Sequence, residues 1–215
     1  MSITDHEKGI EPSHHFSSVE QEHEAAIQGI WLFLATEILM FGGLFVAYAM
    51  FRGMYPIVFH DASKFLDVQM GMVNTLVLIA SSYCMAQAVH YTQKGETHHA
   101  FSLILLTILC ALFFLGVKYF EYAHKFHEGL LPGINFGHAG VSREMGIFFG
   151  LYFVMTGLHA IHILVGIGLM IWLLVRFKRN EFSPHYFVPV DGVGLYWHIV
   201  DIIWIFLFPL LYLIG

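Results

Sequence analysis

The sequence is poor in charge. Only 12% of its 215 residues are Asp, Glu, Lys or Arg, about half of the roughly 25% carried by water-soluble domains, while 57% are hydrophobic. A chain this apolar has too little polar surface to cover itself in water, so lipid is its expected solvent. Positive charge is the scarcer sign: ten Lys and Arg against sixteen acids leave a formal charge of -6. That balance argues against a nucleic-acid partner, since gripping a phosphate backbone needs a basic face. Cysteine is almost absent too. Cys84 and Cys110 each lie inside an apolar run without CxxC spacing, which suggests neither a disulfide framework nor a zinc site. They read as small core residues.

Residues 1–27 are acidic and rich in histidine, with Glu20, Glu22, Glu24, His14, His15 and His23. They contain no apolar core flanked by basic residues, so they do not read as a secretory signal. A polar cytoplasmic tail is expected, with its scattered histidines solvated rather than gathered on a metal.

Residues 28–215 are expected to form one membrane domain, an all-α integral membrane bundle of five transmembrane helices. Five apolar runs carry this reading: Gly29 to Phe51, Gln69 to Tyr91, Ala100 to Tyr122, Gly146 to Val175 and Gly194 to Leu213. Each is near or above the roughly 20 residues needed to cross about 30 Å of hydrocarbon. The fourth is long enough to tilt or to project beyond the membrane. Turn residues at Tyr55-Pro56, Lys94-Gly95, Pro132-Gly133 and Ser183-Pro184 separate the runs.

The densest basic cluster, Arg176, Lys178 and Arg179, follows the fourth run. Positive charge favours the cytoplasmic side, which puts the N-terminus inside and the C-terminus outside. Over the whole chain the basic residues divide evenly between the two sides, so the local cluster alone sets this orientation.

Ionisable groups in hydrocarbon are costly and face protein interiors, which makes them the first functional candidates. Glu37 lies in the first run, His159 and His162 in the fourth, and His198 and Asp201 in the fifth. His159 and His162, like His198 and Asp201, sit three residues apart and share a helix face. A carboxylate buried without a partner is expensive, so Glu37 is expected to pair with His162 or His159. Asp201 is expected to join the same cluster. The residues alone leave three readings open: a polar staple between helices, a proton relay or ion site, and an imidazole-bound haem or metal.

The segment EYAHKFHE at the end of the third run places Glu121, His124 and Glu128 on one helical face. That spacing resembles a carboxylate and imidazole metal site, but no further ligand is identifiable, and a polar helix end at headgroup level is the preferred reading. Lys118 is expected to snorkel from the same end. Gly42, Gly43, Gly157, Gly166 and Gly168 suit close helix approach. Trp172, Trp197, Tyr48, Tyr91 and Tyr212 read as interfacial anchors, and Pro209 is expected to bend the fifth helix.

Several segments together carry a family resemblance. WLFLATEILMFGGLFVAY (31–48), VNTLVLIASS (73–82), YFEY (119–122), FFGLYFVMTGLHAIHILVG (148–166) and YWHIVDIIWIFLFPLLYL (196–213) resemble subunit III of the haem-copper oxidases, in order and on all five spans. TGLHAIH from Thr156 to His162, followed by the His198 and Asp201 pattern between Trp197 and Trp204, is the most specific part.

The resemblance implies a chain without haem or copper of its own. Those cofactors would sit in partner subunits, with subunits I and II and membrane phospholipid as its partners. It implies support of proton uptake in aerobic respiration, a bacterial inner-membrane location and a match of Glu37 to the family's buried glutamate in a lipid-lined cleft. The chain resembles the shorter five-span bacterial type, which lacks the two leading helices of the seven-span form, so one wall of that cleft would come from another chain or be absent. Other readings are an accessory subunit of a nitric oxide reductase, a small transporter and a membrane cytochrome b. Spans without interruption or repeated halves argue against the transporter.

Overall fold

A computed structural model describes residues 19–130, 144–184 and 186–214. The described residues form six helices: α1 (Val19–Met54), α2 (Pro56–Ser63), α3 (Val68–Gln93), α4 (Thr97–His127), α5 (Met145–Lys178) and α6 (Val188–Tyr212). No β-strand occurs among the described residues; Ser183 and Tyr186 form one isolated bridge. Five of the helices are long and apolar enough to cross a membrane: α3, α4, α5, α6 and the Glu24–Met54 portion of α1. These are the five runs of the sequence, the first four extended at both ends and the fifth at its N-terminal end. Backbone groups in lipid must be satisfied internally, so a helix continues until water or a cap takes over its terminal groups.

The ends obey local chemistry. Asp67 caps α3, its carboxylate accepting from the amides of Gln69 at 2.9 Å and Met70 at 3.1 Å. Gly95, Gly129 and Asn180 take positive φ just past α3, α4 and α5, and the next amides return to Tyr91, Lys125 and Arg176 carbonyls. This is the left-handed stop that glycine and asparagine tolerate best. Pro56 and Pro189 sit in the first turns of α2 and α6, where a missing N–H costs nothing. The short α2, not apparent as a separate element in the sequence, follows from Pro56 restarting a helix right after α1. Residues 19–27 already belong to α1. Residues 1–18, with the tail histidines His14 and His15, lie outside the described residues, as do Pro132-Gly133 and Arg143.

The most buried span is α6 and the least buried is α1. Helix α3 packs along α4 and α6, α5 packs along α6 and α4, and α1 leans more lightly on α6 and α5. Lipid tails are as apolar as leucine, so packing and interhelical hydrogen bonds must hold such helices together. Two indoles of α6 reach α3: Trp197 donates to Ser81 Oγ at 3.1 Å and Trp204 to Thr75 Oγ1 at 3.0 Å. Tyr48 of α1 donates to the Leu210 carbonyl of α6, and Tyr122 of α4 meets Thr156 of α5.

These contacts correct the expectation of interfacial anchors for three residues. Tyr48, Trp197 and Tyr212 are buried, whereas Trp172 is exposed. Tyr48 and Tyr212 do lie near span ends but on faces that turn inward, and Trp197 lies well inside α6, which begins at Val188. Among the five glycines singled out, Gly166 makes the close approach: a Cβ there would sit 2.8 Å from Trp197 ring carbons, whereas Gly42, Gly43 and Gly168 face open space.

Candidate functional site

The five intramembrane candidates fall into three places. Glu37 and His162 meet across α1 and α5, with Oε2 and Nε2 2.7 Å apart. The other ring nitrogen, Nδ1, lies 2.7 Å from the Leu158 carbonyl. A carbonyl only accepts, so Nδ1 carries a proton. Nε2 then either accepts from a protonated Glu37 or, as imidazolium, donates to its carboxylate. In both states one proton is shared along the contact. Tyr196 of α6 donates to the His162 carbonyl at 2.9 Å, and Phe41 sets its ring edge-on to the imidazole, 5.3 Å between centroids. Both side chains are about one-eighth exposed.

His159, one turn earlier, is fully buried, and neither ring nitrogen has a hydrogen-bond partner. Its ring stacks on Trp204 at 5.2 Å and meets Phe114 edge-on at 5.6 Å. It fills space as an aromatic ring.

His198 and Asp201 do not join Glu37. The face they share turns to α3, where His198 Nδ1 lies 2.7 Å from Ser82 Oγ. Asp201 is 2% exposed, and the Ser82 hydroxyl, already against His198, is the one donor near its carboxyl among the described residues. The expectation of one cluster tying α1, α5 and α6 is therefore corrected. Trp197 and Trp204 flank the same segment and fix α6 against α3, a rotation that spacing within one helix cannot reveal.

A fourth polar site was not recognised from the sequence. Lys118, Glu121 and Lys125 line one face of α4 and are all buried. Glu121 Oε2 accepts from Lys118 at 2.9 Å; its Oε1 accepts from Tyr152 of α5 at 2.9 Å and Tyr212 of α6 at 2.7 Å. Lys118 also donates to Tyr212, and its ammonium lies 4.7 Å from the Trp204 ring centre. Lys125 donates to the Phe65 carbonyl at 3.0 Å, tying down the α2–α3 connection. Lys118 therefore does not snorkel, because three aromatic rings and a carboxylate solvate it inside the bundle. The K-x-x-E-x-x-x-K spacing was the available signal, since residues three, four and seven apart share a face.

In the EYAHKFHE segment, Glu121 faces inward while the exposed His124 pairs with Glu128 at 3.2 Å. Among the described residues, no group of three or more His, Cys, Asp and Glu is arranged to hold a metal.

An apolar groove of about 380 Å³ runs between α1, α5 and α6, lined among others by Ile30, Phe33, Leu34, Leu169, Trp172 and Tyr196. Leu34 lies one turn from Glu37, and Tyr196 touches both the groove and His162, so the Glu37–His162 pair stands at one end of it. A second notch, of about 290 Å³, opens between α3 and α6 beside Ser82, His198 and Asp201.

Comparison with known proteins agrees with this architecture. The chain is 28% identical over 206 residues to a probable quinol oxidase subunit 3 of Staphylococcus haemolyticus, covering 94% of this chain and 97% of that protein. It is 29% identical over 194 residues to a quinol oxidase subunit 3 of Bacillus spizizenii, covering 88% and 87%. A haem-copper oxidase subunit I+III of Aeropyrum pernix is 32% identical over 197 residues, covering 86% of this chain and 22% of that protein. The family described as cytochrome c oxidase subunit III matches residues 7–215. With five apolar spans and that match over nearly its whole length, the chain belongs to the cytochrome c oxidase subunit III family and is a subunit III of a haem-copper oxidase.

Proposed function

We propose that the chain is a non-redox subunit that binds subunits I and II of a proton-translocating terminal oxidase, holds phospholipid beside them and supports proton uptake, catalysis residing in the other chains. The observation that carries this reading is the groove of α1, α5 and α6. It is apolar along its length and ends near the basic Arg176, Lys178 and Arg179 segment, a combination suited to an acyl chain whose phosphate meets cations. The Glu37–His162 pair closes the groove toward the middle of the membrane and fixes α1 against α5. The chain sits in the bacterial inner membrane with the basic end of α5 in the cytoplasm, hence N-terminus inside and C-terminus outside.

Purification of the chain from its native membrane tests this. The expected preparation contains a much larger haem protein and co-purifying phospholipid, and the isolated chain has no haem absorbance. A chain that purifies alone, or that carries haem itself, overturns the reading. Lipid release on replacing Leu169 with Trp, with the assembly intact, would support the groove as the lipid site.

A further inference from the structure

We infer that the notch between α3 and α6 is a binding site for a membrane-dissolved molecule bearing a hydroxyl head, held between Asp201 and His198. Asp201 lines the notch, is 2% exposed, and has only the Ser82 hydroxyl within its reach among the described residues, a group whose single proton is also wanted by His198 Nδ1 2.7 Å away, so at least one carboxyl oxygen is left without a donor. Unsatisfied buried carboxyl oxygens are costly, and their cost falls when a ligand supplies a donor. His198, three residues earlier on the same face, is fixed by Ser82 at Nδ1. That leaves Nε2 as its one remaining polar atom. A hydroxyl that donates to Asp201 can accept from Nε2 when Ser82 donates to Nδ1, since the imidazole then carries its proton on Nε2. Ser82 itself lies beside both groups.

Depth narrows the ligand. Asp201 lies about 20 Å from the start of α6 and about 17 Å from its end, and Ser82 lies similarly near the middle of α3. Phospholipid headgroups stay near the edges of a hydrocarbon core about 30 Å thick and do not reach this level. Molecules whose hydroxyl can enter the core do, and both a quinol ring and the free hydroxyl of a diacylglycerol offer that chemistry. Ile79 and Ile202 give the notch apolar walls, and the volume of about 290 Å³ accommodates a six-membered ring or a glycerol head. The notch shares no lining residue with the groove of α1, α5 and α6, so the assignment holds whatever occupies that groove.

Photolabelling of the purified assembly in nanodiscs provides the test, with an azido-quinone carrying a short isoprenoid tail in one arm and a photoactivatable diacylglycerol in the other. One of the two is expected to label residues 79–86 or 198–205, and its unlabelled parent to compete. Asp201→Asn and Ser82→Ala should each lower labelling about tenfold, the loss expected from one hydrogen bond. Ile202→Trp fills the notch from its exposed rim without touching the polar residues, so it keeps the test decisive if the polar variants fail to assemble. The arm that labels identifies the source. Absence of labelling in both arms, or labelling unchanged by Ile202→Trp, overturns the inference. So does capture of another polypeptide by a benzophenone side chain in place of Tyr83, since a partner helix would then cover the notch.

Discussion

Lys118 and Glu121 form an ion pair inside the bundle, 2.9 Å apart, with both side chains no more than 6% exposed. The same carboxylate also lies 3.9 Å from Lys125, so one negative charge stands among two ammonium groups. Removing it leaves two like charges buried together, a situation that costs about 3–5 kcal/mol when a buried pair is broken. Glu121→Ala is expected to lower the denaturation midpoint of the assembly sharply, more than Lys118→Met, which leaves Glu121 still facing Lys125. The double variant Lys118→Met with Glu121→Ala should lose less than the sum of the two single losses. Strictly additive losses in a double-mutant cycle would count against the network.

The Glu37–His162 contact joins helices that otherwise touch lightly. Interhelical polar pairs in membranes contribute about 0.6 kcal/mol on average and at most about 1.7 kcal/mol. Glu37→Gln and His162→Ala, singly and combined, should show a coupling energy in that range. A value indistinguishable from zero would mean that the two side chains are neighbours without being partners. The groove next to them gives a second readout, because loosening α1 should release bound phospholipid from the assembly.

His159 behaves differently although it lies only one turn from His162. Its buried ring nitrogens are unpartnered and its neighbours are Trp204 and Phe114. Exchanging a desolvated polar group for an apolar one of similar size is close to neutral or stabilising. His159→Leu is expected to leave stability within about 1 kcal/mol of the parent and to leave oxidase turnover unchanged. A large loss in either measurement would show that the imidazole has a polar role.

Much of this arrangement was legible in the sequence, for definite reasons. Hydrocarbon thickness fixes a minimum run length, so five spans follow from counting, and the cost of a carboxylate buried without a partner pointed from Glu37 to His162 or His159. Helix rotation is a different matter. Nothing within α6 says that Asp201 faces α3 rather than α1, because that depends on where Trp197 and Trp204 find Ser81 and Thr75. Tyr48 and Tyr212 sit near span ends, as anchors do, yet face inward to Leu210 and Glu121. Lys118 illustrates the same limit: its spacing to Glu121 and Lys125 was visible, but the phenols of Tyr152 and Tyr212 that enclose it come from distant helices.

Two glycines of α5, one turn or less apart, give the last test its internal control. At Gly166 an added Cβ would lie 2.8 Å from Cε3 and Cζ3 of Trp197 and 3.4 Å from Tyr196. Trp197 is fully buried and donates to Ser81, so it cannot retreat without disturbing the α3–α6 contact. Overpacking of this kind costs about 1–3 kcal/mol. At Gly168 the same Cβ meets nothing within 4 Å, and alanine favours helix over glycine by up to about 1 kcal/mol. Gly166→Ala should therefore destabilise the assembly while Gly168→Ala leaves it unchanged or slightly firmer. Thermal denaturation of the two variants side by side measures the difference. Equal behaviour of the pair would mean that α5 and α6 do not approach at Gly166 as closely as the Trp197 contact requires.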